Sequence, residues 1–252
     1  MEEAIAQVPF YLDWKFWSVV ISFAALILSQ LPPVHIMLRK AKSAIEVYNT
    51  IHVSHMVGNP NAQLHLILQN TGGRSLRVKS ISLRLRHESG AEFMLPAKNY
   101  YKEQGDSTTV LLTPFKLNSG EDWGHLINFL NFFNRTEEKE FRAITSALRK
   151  NILEKRDALS NPPDSVAAEQ FVVAPVKEFF SRKFQWKPGE YEAELTVATE
   201  PESASTSKKY RFVLFESDTQ ELVKVVEEYQ YGGGVILDVP SQAGLNIPLS
   251  EV

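Results

Sequence analysis

Leu76-Arg-Val-Lys-Ser-Ile-Ser-Leu-Arg-Leu-Arg86 carries two apolar phases in one short run. Leu76 and Val78 share one parity, and Ile81, Leu83 and Leu85 share the other. Side chains alternate faces along a strand, so the change of phase predicts a bulge or bend near Lys79-Ser80. Ser82, Arg84 and Arg86 then face solvent. Toward the N-terminus, Asn70-Thr-Gly-Gly73 reads as a turn and Leu64, Leu66 and Leu68 as an alternating strand. Gly58-Asn-Pro-Asn61 is a further turn cluster, preceded by Ile45, Val47, Ile51 and Val53 with Asn49 interrupting. Toward the C-terminus, Phe93 and Leu95 suggest a short partner strand. Val110 to Leu117 suggests another, broken by Pro114.

From Gly120 the period changes. Asp122 to Phe133 predicts a helix with Leu126, Phe129, Leu130 and Phe133 on one face. Thr136 or Asn134 caps a second helix, acidic in its first turn and striped by Phe141, Ile144, Leu148 and Ile152. Pro175 divides Ser165 to Lys183, leaving a short helix from Val176 to Phe184. Strand patterns return after Lys187-Pro-Gly189, at Tyr191, Ala193, Leu195 and Val197 and again at Tyr210 to Phe215. Asp218 or Ser217 caps a last helix striped by Leu222, Val225, Val226 and Tyr229, which Gly232-Gly-Gly234 terminates.

The expected fold is mainly β with a helical insertion (α+β), in the pattern of a β-sandwich. The Asn-x-Gly-Gly turn at 70–73 and Pro188-Gly-Glu-Tyr191 before a late strand resemble immunoglobulin-like sandwiches in the broad sense. The resemblance covers the strand-bearing half of the chain, lacks the cysteine pair of antibody domains, and implies a fold without implying a function. The boundaries are a body at 45–231, an insertion at about 120–186, and an extended tail at 232–252.

The N-terminal part reads differently. Phe16 to Leu38 holds no Asp, Glu, Lys or Arg and lies between Lys15 and Arg39. A bilayer core of about 30 Å needs roughly 20 apolar residues, so residues 14–38 are expected to form a single transmembrane helix behind a short acidic tail, 1–13. Pro32-Pro33 stops the regular helix near Gln30. Ser18, Ser22, Ala25 and Ser29 make one stripe of small residues, a packing face for a neighbouring transmembrane helix. Arg39, Lys40 and Lys42, in the linker 39–44, outnumber Lys15. The positive-inside rule then places the protein at an inner (plasma) membrane with its C-terminal domain in the cytoplasm.

The chain of 252 residues is 44% hydrophobic, has net charge −3 and contains no cysteine. That removes disulfide frameworks, thiolate metal sites and cysteine nucleophiles, and it gives no electrostatic case for nucleic acid. His52 and His55 would face opposite ways on a strand, and no His-Glu-x-x-His helix accompanies them. No phosphate loop or nucleophile elbow occurs. The expectation is a non-enzyme without cofactor or metal. It would be an interaction or scaffold subunit that holds a partner protein at the membrane, or self-associates through the transmembrane helix or the insertion. Alternatives are a membrane-tethered regulator of an effector and a periplasmic or surface binding domain of reversed topology. The candidate docking residues are Trp123, Leu126, Phe129, Leu130, Phe132 and Phe133, aromatics spread over more than one helical face.

Overall fold

The computed structural model describes residues 14–30, 39–103, 105, 108–161, 163, 165–238 and 244–252. The tail 1–13 and residues 31–38 lie outside them. The fold is mainly β with helices, α+β, and its strands form a nearly closed, barrel-like sheet.

Among the described residues twelve strands are joined antiparallel. One half holds β1 (Ser43–Val47), β2 (Thr50–Met56), β3 (Asn59–Asn70) and β8 (Asp122–Leu130). β3 is the spine of this half: β2 and β1 share one edge of it and β8 takes the other. The other half holds β4 (Leu76–His87), β9 (Gly189–Glu200) and β10 (Thr206–Leu214), with β4 paired along β9. β6 (Thr109–Leu111) and β7 (Phe115–Leu117) are short edge pieces on either side of Pro114.

Two segments stitch the halves together. β5 (Glu92–Tyr101) pairs with β4 as far as Pro96 and with β8 from Ala97. At the opposite side, β11 (Leu245–Pro248) pairs with β2 and β12 (Ser250–Glu251) with β10. Each crossing carries a proline at the changeover, where a missing N–H costs no ladder bond. The expected bulge is present: the β4–β9 register shifts between Val78 and Ser80. It returns Ile81, Leu83 and Leu85 to the interior that Leu76 and Val78 already face, and all five are buried. The main core is filled by such alternating residues, with Trp186 and Phe129 wholly inside it.

A second core lies under a helical layer. α2 (Arg135–Asp157) starts at Asn134, whose side chain accepts from the Thr136 and Glu137 N–H groups while Glu137 returns to the Asn134 N–H. α3 (Gln170–Lys183) runs through Pro175, where a break was expected. Pro175 sits on the exposed face of the helix. Ion pairs Arg182–Glu140 and Lys183–Glu137 tie α3 to α2. α4 (Glu216–Val223) opens where the Asp218 carboxylate accepts from the Phe215 N–H, at 2.9 Å. It continues as a 3-10 segment, Lys224–Tyr231, ended by Gly232 at φ 81°.

Two expectations are corrected. Asp122–Leu130 is strand, not helix: β8 pairs with β3 over its whole length and with β5 near its end. The residues fit a helical spacing, but Trp123, Ile127 and Phe129 also fit period two, and the open edge of β3 decided between them. The second concerns the membrane. Among the described residues no helix is long and apolar enough to cross one. α1 (Trp14–Gln30) has 17 residues, about 26 Å of rise against a bilayer core of about 30 Å. The single-pass helix at 14–38 and the inner-membrane placement with a cytoplasmic C-terminal domain are therefore overturned. The expected stop at Pro32-Pro33 lies outside the described residues.

Candidate functional site

An open cleft of about 770 Å³ lies on the β2–β3–β8 half. Register sets its lining. Asn246 of β11 stands opposite His52 of β2, and His52 opposite Gln63 of β3. Two residues further along β3, His65 stands opposite Leu126 of β8, and Leu126 opposite Tyr101 of β5. Four of these five strands thus bring polar groups into two neighbouring rows, and β8 brings Leu126. His125, Tyr48 and the Lys102-Glu103 segment complete the rim.

The imidazoles are held differently. His52 Nδ1 lies 3.0 Å from Asn246 Oδ1, and its ring packs against Gly244, where a Cβ would stand 2.7 Å from Nε2. Gly244 has φ 80°, so this site requires glycine twice over. His125 touches the rings of Tyr100 and Trp123 at centroid distances of 4.7 and 4.6 Å. Burial holds its pKa below the ordinary value; hydrogen bonding to the Tyr101 and Lys102 backbone opposes this, and the His65 charge lowers it further. Among the described residues no group of three His, Asp or Glu side chains is placed to hold a metal ion.

His55 lies on the other face of β2, at the joint between the two cores. Its Nε2–H donates to the Leu222 carbonyl at 2.8 Å, and its Nδ1 accepts from the Gly58 N–H at 3.2 Å. These two partners fix a neutral tautomer. Phe180 and Phe184 meet the ring edge-on at 5.3 and 5.5 Å. The β2–β3 turn, Val57-Gly58, has positive φ at both residues, 47° and 85°. It presses so closely on α3 that a Cβ at Gly58 would stand 2.5 Å from the Phe180 carbonyl oxygen.

The expected docking residues do not share one surface. Phe129 is core, and Trp123 packs against the same core. Leu126 lines the cleft, while Leu130 is half-buried on β8. Phe133 belongs to the helical layer, against Phe141 and Phe179. Phe132 is 68% exposed, with the Lys98 ammonium 5.1 Å from its ring. The stripe Ser18, Ser22, Ala25 and Ser29 is exposed along α1. Sequence reading missed His125, Gln63 and Asn246. The signal available was the register of β2 against β3, which the turn at Val57-Gly58 sets.

No protein-family model matches the chain. No curated protein matches it. Among solved structures, a crystal structure of Spo0M, a sporulation control protein from Bacillus subtilis, is similar at 10% identity and a TM-score of 0.29. The likeness covers 75% of this chain and 55% of that one, so the chain spans little more than half of that protein's length.

Proposed function

We propose that the chain is a non-catalytic interaction subunit that holds a partner protein through α1, with the β body as the scaffold behind it. The observation that carries this reading is the surface of α1. Val19, Ile21, Phe23, Leu26 and Leu28 are all more than half exposed, and no charged residue follows Lys15 in the helix. A helix apolar all round needs a cover. The stripe Ser18, Ser22, Ala25 and Ser29 supports an apolar helix of the partner as that cover. Ser18, Ser22 and Ser29 return their hydroxyls to the carbonyls of Lys15, Ser18 and Leu26 at 2.7–3.0 Å. They ask nothing polar of a neighbour, and small residues allow close backbone approach.

The test places a photo-crosslinking residue at Ile21 of the full chain in its native cells. The expected product is one discrete protein adduct mapped to an apolar helix, absent in Ser22→Leu. Adducts spread over many proteins, or none, would overturn the reading.

We also infer that the body is an immunoglobulin-like sandwich. Tyr191, near the start of β9, supports this: its hydroxyl accepts from the Lys187 N–H at 2.8 Å and donates back to the Lys187 carbonyl at 3.0 Å. That pattern resembles the tyrosine corner of such folds, and the buried Trp186 lies against the same ring.

A further inference from the structure

We propose that the cleft over β2, β3 and β8 binds a neutral saccharide. The side-chain row Asn246, His52 and Gln63 would hold its hydroxyls, and Tyr48 would take its apolar face. This does not rest on α1 or on what it docks.

The row is longer than the cleft. Asn246 stands opposite His52 and His52 opposite Gln63. Gln63 stands opposite Asn128 of β8, and Asn128 opposite Asn99 of β5. His52, Gln63 and Asn128 each lie between two core residues of their strand, so all three point to the outer face of the sheet. Both ends of the row are tied. His52 Nδ1–H donates to Asn246 Oδ1 at 3.0 Å, and Asn128 Nδ2–H donates to Asn99 Oδ1 at 2.5 Å. Between them Gln63 makes no side-chain hydrogen bond among the described residues. Asn128 is 9% exposed, and its Oδ1 is buried with no partner among the described residues. Directly opposed side chains start about 5 Å apart. A turn of the Gln63 amide therefore gives Asn128 Oδ1 one N–H and keeps the second N–H and Oε1 for a ligand. The middle of the row is open and its flanks are fixed, which is the arrangement of a preorganised site.

The chemistry of the lining selects the ligand. An amide offers a donor and an acceptor side by side, and two neighbouring hydroxyls of a sugar answer both, one accepting and one donating. Thr50 and Tyr101 add hydroxyls of the same double character. The fixed charges on the rim, Lys102 and Glu103, are of opposite sign, so they favour a ligand without net charge. A sugar also carries a C–H face that needs an apolar partner. Tyr48 is 64% exposed at the mouth of the cleft, and its backbone N–H donates to the His65 carbonyl at 3.1 Å, which anchors it beside β3. An anchored, exposed tyrosine supplies a rigid flat surface with a polar tip. An extended peptide fits the row less well. Its same-side groups recur about every 6.8 Å, out of step with strands about 4.8 Å apart.

The experiment is saturation-transfer difference NMR on the full chain, kept in solution with a detergent that has no sugar headgroup. The probes are cellotriose, maltotriose, chitotriose and adenosine. Saturable transfer to at least one trisaccharide is expected. Its affinity should fall by at least about threefold, the lower end of what one hydrogen bond is worth, in Gln63→Ala and in Tyr48→Ala. Far-UV circular dichroism should be unchanged in both; Gln63→Glu, which keeps the size and removes the donors, replaces Gln63→Ala if that variant does not fold. Gln69→Ala, on the same strand outside the cleft, should bind as the parent does. Transfer to none of the trisaccharides would overturn the proposal, as would a smaller loss in either variant or an equal loss in Gln69→Ala. Transfer to adenosine as strong as to any trisaccharide would mark a nucleobase site and overturn it as well.

Discussion

The two apolar cores are held by different means. The main core is walled by strands whose register is fixed residue by residue, and it is closed on both sides by β5 and by β11–β12. The helical-layer core, built around Leu148, Val176, Phe179 and Tyr229, has no ladder of its own among the described residues. It rests on ring contacts, two ion pairs to α2 and one histidine at the joint. Each core buries one tyrosine hydroxyl without a hydrogen-bond partner among the described residues, Tyr229 in the helical layer and Tyr210 in the main core, while Trp186 and Tyr191 have theirs. A core framed by backbone bonds opens as a whole, while one framed by side chains can open first.

The largest effect is expected at Trp186. Its ring is wholly buried between Phe93 and Tyr191, and its Nε1–H donates to the Ser54 carbonyl at 2.7 Å. Trp186→Ala should cost about 3–5 kcal/mol and lower the urea midpoint of strand and helix signals together. If only the helical signals shifted, the distinction between the cores would be drawn in the wrong place.

A smaller effect separates the cores by pH. Burial depresses the His55 pKa below 6.5, with the bond to Leu222 opposing. A base whose folded pKa is depressed binds fewer protons folded than unfolded. Its neutral form therefore stabilises the fold fully above about pH 6.5. That stability declines as pH falls below it, by at most about 1.4 kcal/mol per unit, until the folded pKa is reached. The joint is where the loss should show. Amide exchange in α3 and α4 should accelerate between pH 6.5 and 5 while β3 and β9 hold. His55→Gln should flatten the dependence. A uniform acceleration across both cores would merge them into one cooperative unit.

The smallest effect is expected at Phe132, which belongs to neither core. Phe132→Ser should change the unfolding free energy by less than about 0.5 kcal/mol. A loss of several kcal/mol by urea titration would put this ring inside the helical core after all.

Local signals in the sequence had local causes and were legible. The parity change in β4 announced the bulge at Val78/Ser80, and Asn134 with Glu137 announced the start of α2. What failed depended on distant partners. In β8, Leu126, Phe129, Leu130 and Phe133 satisfy a helical stripe, and only the open edge of β3 makes the strand the better solution. Leu245 to Glu251 shows no period because it spends four residues on one half of the sheet and two on the other. Hydropathy identified α1 as an unusual surface, but an apolar run fixes neither a helix's final length nor its surroundings. The cleft was invisible for the same reason as β8: Asn246, His52 and Gln63 meet through register across three strands.

The closing strands also set the order of events during synthesis. β2 and β10 acquire β11 and β12 only after residues 245–251 have left the ribosomal exit tunnel. Until then β2 keeps one edge unsatisfied while every strand from β3 to β10 is made, and β10 keeps one for a shorter stretch, the condition in which β proteins pair with the wrong neighbour. Synthesis rate and chaperone supply while residues 245–251 emerge should therefore govern the yield of folded chain.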